Sequence, residues 1–143
     1  MNQLLTHEFF MNIALTEAKN ALLKNEVPIG AIIVCQNKII AKAHNLTETL
    51  NDATAHAEMQ VITAAASYLG TKYLKECTLY VTLEPCNMCA GALYWSKIDT
   101  VVFGAKDKKN KTLSLYHPKT KIIANIKEKE CLNLIKEFFK NKR

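Results

Sequence analysis

Four side chains in two short stretches have the types and spacing of a metal centre with an acid/base group beside it. The stretch TAHAE contains His56 and Glu58, and the stretch TLEPCNMCAG contains Cys86 and Cys89. Imidazole and thiolate groups are preferred zinc ligands, and a site with three protein ligands keeps a fourth position for water. The two stretches therefore predict one zinc ion per chain, bound by His56, Cys86 and Cys89.

Glu58 is placed for proton transfer rather than for metal binding. Two steps along an α-helix turn through about 200 degrees, so Glu58 does not share a helix face with His56. In the first turn, however, its side chain can reach past the helix end toward the water in the fourth position. Zinc lowers the pKa of such a water to about 7, and a carboxylate beside it can accept and return a proton. We predict Glu58 as the catalytic acid/base.

The cysteine pair taken alone allows more than one interpretation. Residues three apart share a helix face, and a helix N-terminus lowers the pKa of thiols, which favours metal binding. A CxxC pair also occurs as a redox couple, or in a structural zinc site whose fourth ligand here would be Cys35, Cys77 or Cys131. The combined order is more specific: HAE, then 26 residues, then PCNMC. An H-x-E followed by P-C-x-x-C is the signature of zinc nucleobase deaminases, so we favour a catalytic zinc.

Hydrophobic periodicity predicts helices and strands that alternate around these stretches. Apolar residues at three- and four-residue steps predict helices over 7–24, 55–68, 85–95 and 128–142. Short apolar and β-branched runs predict strands over 31–35, 39–43, 79–83, 100–103 and 121–124, the first two joined as a hairpin. Thr54 is expected to cap the second helix, and Pro85 to begin the third. The alternation predicts an α/β layered domain with parallel crossovers in its second half.

Length and composition are those of one domain with a packed core. With 143 residues, 49% of them hydrophobic, the chain is predicted to form a single domain over 1–143. Its longest apolar run, PIGAIIVC, is far shorter than the roughly 20 residues that span a bilayer, so no membrane segment is expected. The N-terminus MNQLLTHEFF lacks the features of an export signal, which favours a cytoplasmic location. Five cysteines without an export signal argue against a disulfide scaffold.

Positive charge is concentrated in the last third of the chain. Up to Gly104 there are 7 basic and 9 acidic residues, a net charge of −2, and from Ala105 onward there are 12 basic and 4 acidic residues, a net charge of +8. Such a segment attracts phosphate groups, or it is a lysine-rich solvated surface. Arg143 is the only arginine, and lysine binds phosphate as a point charge rather than as a two-pronged fork.

The sequence resembles the cytidine deaminase-like superfamily, and within it the bacterial tRNA adenosine deaminases. Besides TAHAE and TLEPCNMCAGA, the resemblance rests on NEVPIGAIIV, AHN, TLYVTLEPC and VVFGAKD, and it extends from about His7 to the C-terminus. It implies a three-layer α/β/α fold with a mixed five-stranded sheet, a homodimer and no organic cofactor. It also implies hydrolytic conversion of the wobble adenosine, position 34 of the tRNA anticodon loop, to inosine with release of ammonia.

The resemblance further implies roles for individual residues. The three predicted zinc ligands and Glu58 correspond to the family's zinc ligands and proton shuttle. Asn45 corresponds to the asparagine that binds the flipped base, although an Asn at a strand end is often a turn former. Asp107 corresponds to an aspartate that contacts the anticodon loop, although among lysines it also fits a solvated charge. Glu84 is interpreted as structural.

Two departures from the family pattern leave other substrates open. The stretch KDKKNKTLSLYHP contains no glycine, where the family usually has a longer glycine-containing loop that helps to hold the RNA. The stretch GALYWSKI resembles the corresponding helix of guanine deaminases, which act on a free base. Free guanine or cytosine deamination is therefore the alternative activity. A zinc-stabilised RNA-binding module is the alternative without catalysis.

Overall fold

The computed structural model describes residues 5–109 and 111–142, which form a sheet between two layers of helices. In chain order the elements are α1 (His7–Leu23), β1 (Gly30–Cys35), β2 (Lys38–His44), α2 (Ala57–Leu69), β3 (Cys77–Leu83), α3 (Asn87–Ser96), β4 (Thr100–Ala105), a single 3-10 turn (Leu113–Leu115), β5 (Lys121–Ile123) and α4 (Glu128–Lys140). The predicted helices and strands are all present in this order. Among the described residues, no helix combines the length and apolar character that crossing a membrane requires.

The five strands form a mixed sheet in the order β2-β1-β3-β4-β5. β1 pairs antiparallel with both β2 and β3, whereas β4 pairs parallel with β3 and with β5. The predicted hairpin of β1 and β2 is confirmed. Its turn consists of Gln36 and Asn37, whose φ values of 51° and 64° are those of a type I′ turn.

Each face of the sheet is covered by a different pair of helices. Successive residues of a strand point to opposite faces. Ile33 and Leu79 pack in the apolar cluster that contains residues of α2 and α3. Ile32 and Tyr80 pack in the cluster that contains residues of α1 and α4. The predicted three-layer α/β/α fold with a mixed five-stranded sheet is confirmed.

Four of the five strands, all except β1, end at the same edge of the sheet. β2 and β3 are both antiparallel to β1 and therefore run in one direction, and β4 runs parallel to β3. The segments that follow β2, β3 and β4 begin with Asn45, Glu84 and Lys106. Asn45, Cys86 and Asp107 thus lie within a few residues of the ends of β2, β3 and β4 at this edge, although they are far apart in sequence.

The predicted start of α2 is wrong. The helix begins at Ala57, and His56 rather than Thr54 is its N-cap residue. Thr54 donates its N–H and its O–H to Asp52 Oδ1, over 2.8 and 2.7 Å. The Asp52 carboxylate therefore engages the hydroxyl group that was expected to cap the helix.

The predicted start of α3 is also wrong. Cys86 is the N-cap residue, with an extended backbone (φ −72°, ψ 176°), and the helix begins at Asn87. Pro85 lies before the cap instead of at the first helical position. The thiol of Cys86 consequently lies at the helix end, next to the free N–H groups of the first turn.

Candidate zinc centre and active site

The N-termini of α2 and α3 bring the three predicted zinc ligands together. His56 and Cys86 are the N-cap residues of these helices, and Cys89 lies in the first turn of α3. Both helices cover the same face of the sheet and begin at the edge where β2 and β3 end. Side chains from two distant stretches of sequence therefore meet at one point.

The distances between the three ligand atoms fit a tetrahedral zinc ion. His56 Nδ1 lies 3.6 Å from Cys86 Sγ and 3.5 Å from Cys89 Sγ. Zinc bonds of about 2.3 Å to sulfur and 2.0–2.1 Å to nitrogen, at a tetrahedral angle, place sulfur and nitrogen about 3.6 Å apart. All three atoms lie within 4.8 Å of one another. The residues present can hold zinc without rearrangement, with Nδ1 as the histidine ligand atom.

The electrostatic environment favours thiolate at this site. The Cys89 thiol, the backbone N–H groups of Cys89 and Met88, and His56 lower the pKa of Cys86 to about 5, although burial opposes ionisation. The contact with Cys86, together with burial and the Glu58 carboxylate, raises the pKa of Cys89. The first thiolate of the pair therefore forms on Cys86, and a coordinated metal ion deprotonates its second thiol ligand.

Glu58 is buried beside these ligands, and one of its carboxyl oxygens makes no hydrogen bond within the described residues. Glu58 is the second residue of α2, its side chain is only 3% exposed, and the oxygen concerned is Oε1. Burial raises the pKa of Glu58 to about 7. A carboxyl group with such a pKa both accepts and donates protons at neutral pH. The role of Glu58 as acid/base remains a prediction, for which the site has suitable chemistry.

Asn45 is connected to the site through the N-terminus of α2. Its Oδ1 accepts the backbone N–H of Ala57 over 3.0 Å, and the residue is only 4% exposed. Its backbone N–H donates to the carbonyl oxygen of Ile29 over 3.1 Å, which connects it to the residue just before β1. Because the side-chain oxygen of Asn45 already accepts the N–H of Ala57, the side-chain NH2 group is the polar group that is left to bind another molecule.

Glu84 shapes the segment that contains Asp107. Its Oε1 accepts the backbone N–H of Asp107 over 3.0 Å, and its Oε2 accepts the hydroxyl of Thr112 over 3.4 Å. Asp107 Oδ1 in turn accepts the backbone N–H of Lys109 over 3.0 Å. The interpretation of Glu84 as structural agrees with these contacts, and Asp107 has its backbone held near the end of β4.

Glu26 organises the segment between Asn45 and His56, a role that sequence analysis missed. Its fully buried carboxylate accepts the N–H and the hydroxyl of Thr49, each over 2.6 Å, and the N–H of Glu48 over 3.2 Å. Burial opposes ionisation, but these hydrogen bonds together hold the pKa of Glu26 below its ordinary value. No local pattern marks this residue, because its partners lie more than 20 positions away.

The comparisons with known proteins agree with this site. The family model of the cytidine and deoxycytidylate deaminase zinc-binding region matches residues 5–105. The chain is 49% identical to the tRNA-specific adenosine deaminase of Aquifex aeolicus (strain VF5), over 95% of each protein. The chain belongs to this deaminase family, in the group of the tRNA-specific adenosine deaminases. It is also 46% identical to the tRNA-specific adenosine deaminase of Bacillus subtilis (strain 168), over 95% of this chain and 90% of that protein.

Solved structures of other deaminases have the same fold. One, from a study of A-to-I editing by tRNA:A34 deaminases at the wobble position of transfer RNA, matches with a TM-score of 0.81 and 38% identity over 87% of this chain and 97% of that chain. Guanine deaminase from Bacillus subtilis matches with a TM-score of 0.68 and 41% identity, over 71% of this chain and 65% of that chain. The match to the tRNA deaminase extends over nearly its whole length, and the match to the guanine deaminase does not.

Replacing Glu26 with glutamine tests how the segment before His56 is held. Glu26→Gln removes the charge that these hydrogen bonds stabilise, so we expect the free energy of unfolding at neutral pH to fall by roughly 1–3 kcal/mol. The folded-state pKa of Glu26 lies below its ordinary value of 4.5. Its stabilisation is therefore present above the unfolded-state pKa and is lost as the pH falls through the folded-state pKa.

Urea unfolding of both proteins, from neutral pH down to acid pH, measures this difference. The exposed Glu48→Gln is the matched control and is expected to unfold like the wild type at each pH. A deficit in Glu26→Gln that is independent of pH would contradict a stabilising charge at this position.

Proposed function

We propose that this chain is a zinc-dependent hydrolytic deaminase that converts the wobble adenosine of a tRNA anticodon loop to inosine and releases ammonia. The observation that carries the proposal is that His56 Nδ1 and the two cysteine sulfur atoms lie at distances that fit a tetrahedral zinc ion. Beside them is the buried carboxyl group of Glu58, whose Oε1 makes no hydrogen bond within the described residues. The tRNA substrate is supported by relatives named tRNA-specific adenosine deaminase that match along nearly their whole length.

The chemistry follows from the proton-transfer capacity of Glu58. His56, Cys86 and Cys89 would hold the zinc ion, which would supply the Lewis acidity that makes a water molecule reactive toward C6 of the adenine. Glu58 accepts a proton from the attacking water and donates it to ring nitrogen N1 of the adenine. It then relays the second proton to the exocyclic amino group, which leaves as ammonia. Water and adenosine thus give inosine and ammonia, and Glu58 regains its initial protonation state.

We assign base recognition to Asn45 and contact with the anticodon loop to Asp107. The NH2 group of Asn45 is a donor for an acceptor atom of the extruded base, because its oxygen already caps α2. Asp107 lies after β4 at the same sheet edge, next to the exposed Lys106 and Lys108. These lysines are suited to neutralise the phosphates that flank the base.

We further propose that the whole chain, 1–143, forms one domain that acts as a homodimer. Large apolar side chains are exposed on neighbouring elements of one side of the molecule: Tyr68 of α2 is 57% exposed, Trp95 of α3 is 71% exposed, and Leu113 of the 3-10 turn is 72% exposed. Apolar groups of this size at the surface are typical of protein interfaces. A tRNA substrate also favours a cytoplasmic location.

Free guanine is the second candidate substrate, because the guanine deaminase of Bacillus subtilis is 41% identical over the part that it shares with this chain. A purine base and an adenosine in an RNA loop can both be bound beside the same zinc ion. The two activities differ in whether the surrounding protein must also hold phosphates, which is the role proposed for the lysines after β4.

A substrate panel separates these functions. The zinc-loaded protein is incubated with an anticodon stem-loop that has adenosine at the wobble position, and in parallel with free guanine, adenine and cytosine. We expect inosine in the RNA and no turnover of a free base.

We expect Glu58→Gln to keep its zinc and to lose roughly 10²- to 10⁴-fold in kcat, since it cannot transfer the proton.

Glu128→Gln, an exposed substitution in α4, is the matched control and is expected to keep full activity. Turnover of guanine alone would assign the chain to the second candidate. RNA binding without ammonia release in the wild type would identify a binding module. Full activity of Glu58→Gln would show that another group transfers the proton.

The two roles of Asn45 can be separated by substitution. Asn45→Asp keeps an oxygen for the Ala57 N–H but removes the NH2 donor, so we expect an unchanged melting temperature and a kcat/KM that is roughly 10- to 100-fold lower. Asn45→Ala removes both groups and is expected also to lose about 1 kcal/mol of stability through the lost helix cap. Steady-state kinetics on the stem-loop and thermal unfolding measure the two effects. An Asn45→Asp protein with wild-type kcat/KM would contradict base recognition by the amide.

A further inference from the structure

A second pair of cysteines lies face to face on neighbouring strands, apart from the zinc site. Cys35, the last residue of β1, is the register partner of Cys77, the first residue of β3. Directly opposite residues of an antiparallel pair project their side chains to the same face of the sheet. Both thiols belong to the apolar region under α2 and α3, where Cys77 is buried in the core and Cys35 packs at its margin.

The backbone pairing brings these residues into the closer of the two antiparallel spacings. Cys35 pairs with Lys38 across the two-residue turn of the β1–β2 hairpin, and the pair that closes such a turn is hydrogen-bonded. The N–H and C=O of a strand residue point to the same side, so those of Cys35 point to β2 and away from β3. The N–H of Cys77 correspondingly donates to Leu74 O, over 3.3 Å.

A non-hydrogen-bonded antiparallel pair has Cα atoms about 4.5 Å apart. Disulfides form across Cα separations of roughly 4.4–6.8 Å, so the spacing expected for this pair lies at the lower end of that range. The Cys131 thiol, by contrast, is buried on the opposite face, in the cluster with α1 and α4. Cys86 and Cys89 lie beyond the other end of β3, about 20 Å away at 3.3 Å per strand residue.

The two thiols differ in access to solvent in the way that a two-step oxidation requires. Cys35 is partly exposed and lines a surface cavity together with Leu69, Thr71 and Tyr73. Cys77 has no exposed surface, and burial, followed by the Cys35 thiol, raises its pKa to about 12. An oxidant therefore reaches Cys35 first, with Cys77 beside it as the only thiol on the opposing strand.

We propose that Cys35 and Cys77 are a redox modification site that closes to a cross-strand disulfide on oxidation by a peroxide. In the first step the Cys35 sulfur takes one oxygen from hydrogen peroxide, which gives a sulfenic acid and water. In the second step the Cys77 sulfur attacks the Cys35 sulfur, the Cys77 thiol proton passes to the sulfenic oxygen, and that oxygen leaves as a second water. The two thiols lose two electrons and two protons in total, and the peroxide is reduced to water.

The disulfide would stabilise the part of the chain that contains His56, the candidate histidine ligand of zinc. Its closed loop, 35–77, contains β2, Asn45, His56 and α2. Closing a loop of this length restricts the unfolded chain and is expected to raise the melting temperature by roughly 5–15 °C. Because the bond lies at the sheet edge opposite the zinc ligands, the zinc content should stay unchanged.

The test uses zinc-loaded protein treated with hydrogen peroxide, so that the metal protects Cys86 and Cys89. After free thiols are blocked, chymotrypsin cuts after Tyr80 and separates Cys77 from Cys86 and Cys89. We expect a peptide that links Cys35 to Cys77, a higher melting temperature, and reversal of both by a thiol reductant. Cys131→Ser is the matched control and is expected to form the same link, whereas Cys35→Ser is expected neither to form it nor to gain thermal stability.

Two results for the peroxide-treated wild type would overturn the proposal. In one, Cys35 is oxidised to sulfinic acid. In the other, Cys35 and Cys77 both carry the thiol-blocking reagent, which shows that they remained free thiols. The proposal is likewise overturned if the linked peptides join other cysteines. All three results are read from the wild-type digest, so they decide the question even if a variant fails to fold.

Discussion

The approach of two helix N-termini at one edge of the sheet is the constraint on which the remaining features depend. A helix N-terminus carries free N–H groups and a partial positive charge, so two of them placed together favour anionic groups between them. In this chain the Cys86 thiol lies there, with its pKa lowered to about 5, next to the imidazole of His56 and the carboxyl group of Glu58. The same convergence sets the sulfur to nitrogen distances that fit zinc. The spacing of the three candidate zinc ligands and the burial of Glu58 beside them thus arise from one arrangement of the backbone.

Three side chains outside the metal ligands hold that arrangement in place. Asn45 accepts the first N–H of α2, and Glu26 accepts backbone N–H groups of the segment between Asn45 and His56. Glu84, just after β3, accepts the N–H of Asp107 in the segment after β4. Each links parts of the chain that are far apart in sequence, and each uses a short polar contact to backbone. Sites held in this way keep their ligands at the required spacing before the metal or substrate binds.

The features that could be predicted from sequence are those that local residue types determine. Apolar periodicity specifies helices and strands, and the chemistry of imidazole and thiolate at set spacings indicates zinc. The caps were missed because they depend on competing contacts: Asp52 engages Thr54, so His56 takes the cap. Glu26 and the pairing of Cys35 with Cys77 were also missed, because strand register and long-range contacts decide them.

X-ray absorption at the zinc edge tests the central claim most directly, because it counts the atoms bound to the metal. For the purified wild type, which should contain one zinc per chain, we predict two sulfur ligands at about 2.3 Å, one imidazole nitrogen at about 2.0–2.1 Å and one further oxygen. Three sulfur ligands would indicate a structural site that recruits another cysteine. A metal shell without two sulfurs, or a protein without zinc, would contradict a catalytic zinc centre at His56, Cys86 and Cys89.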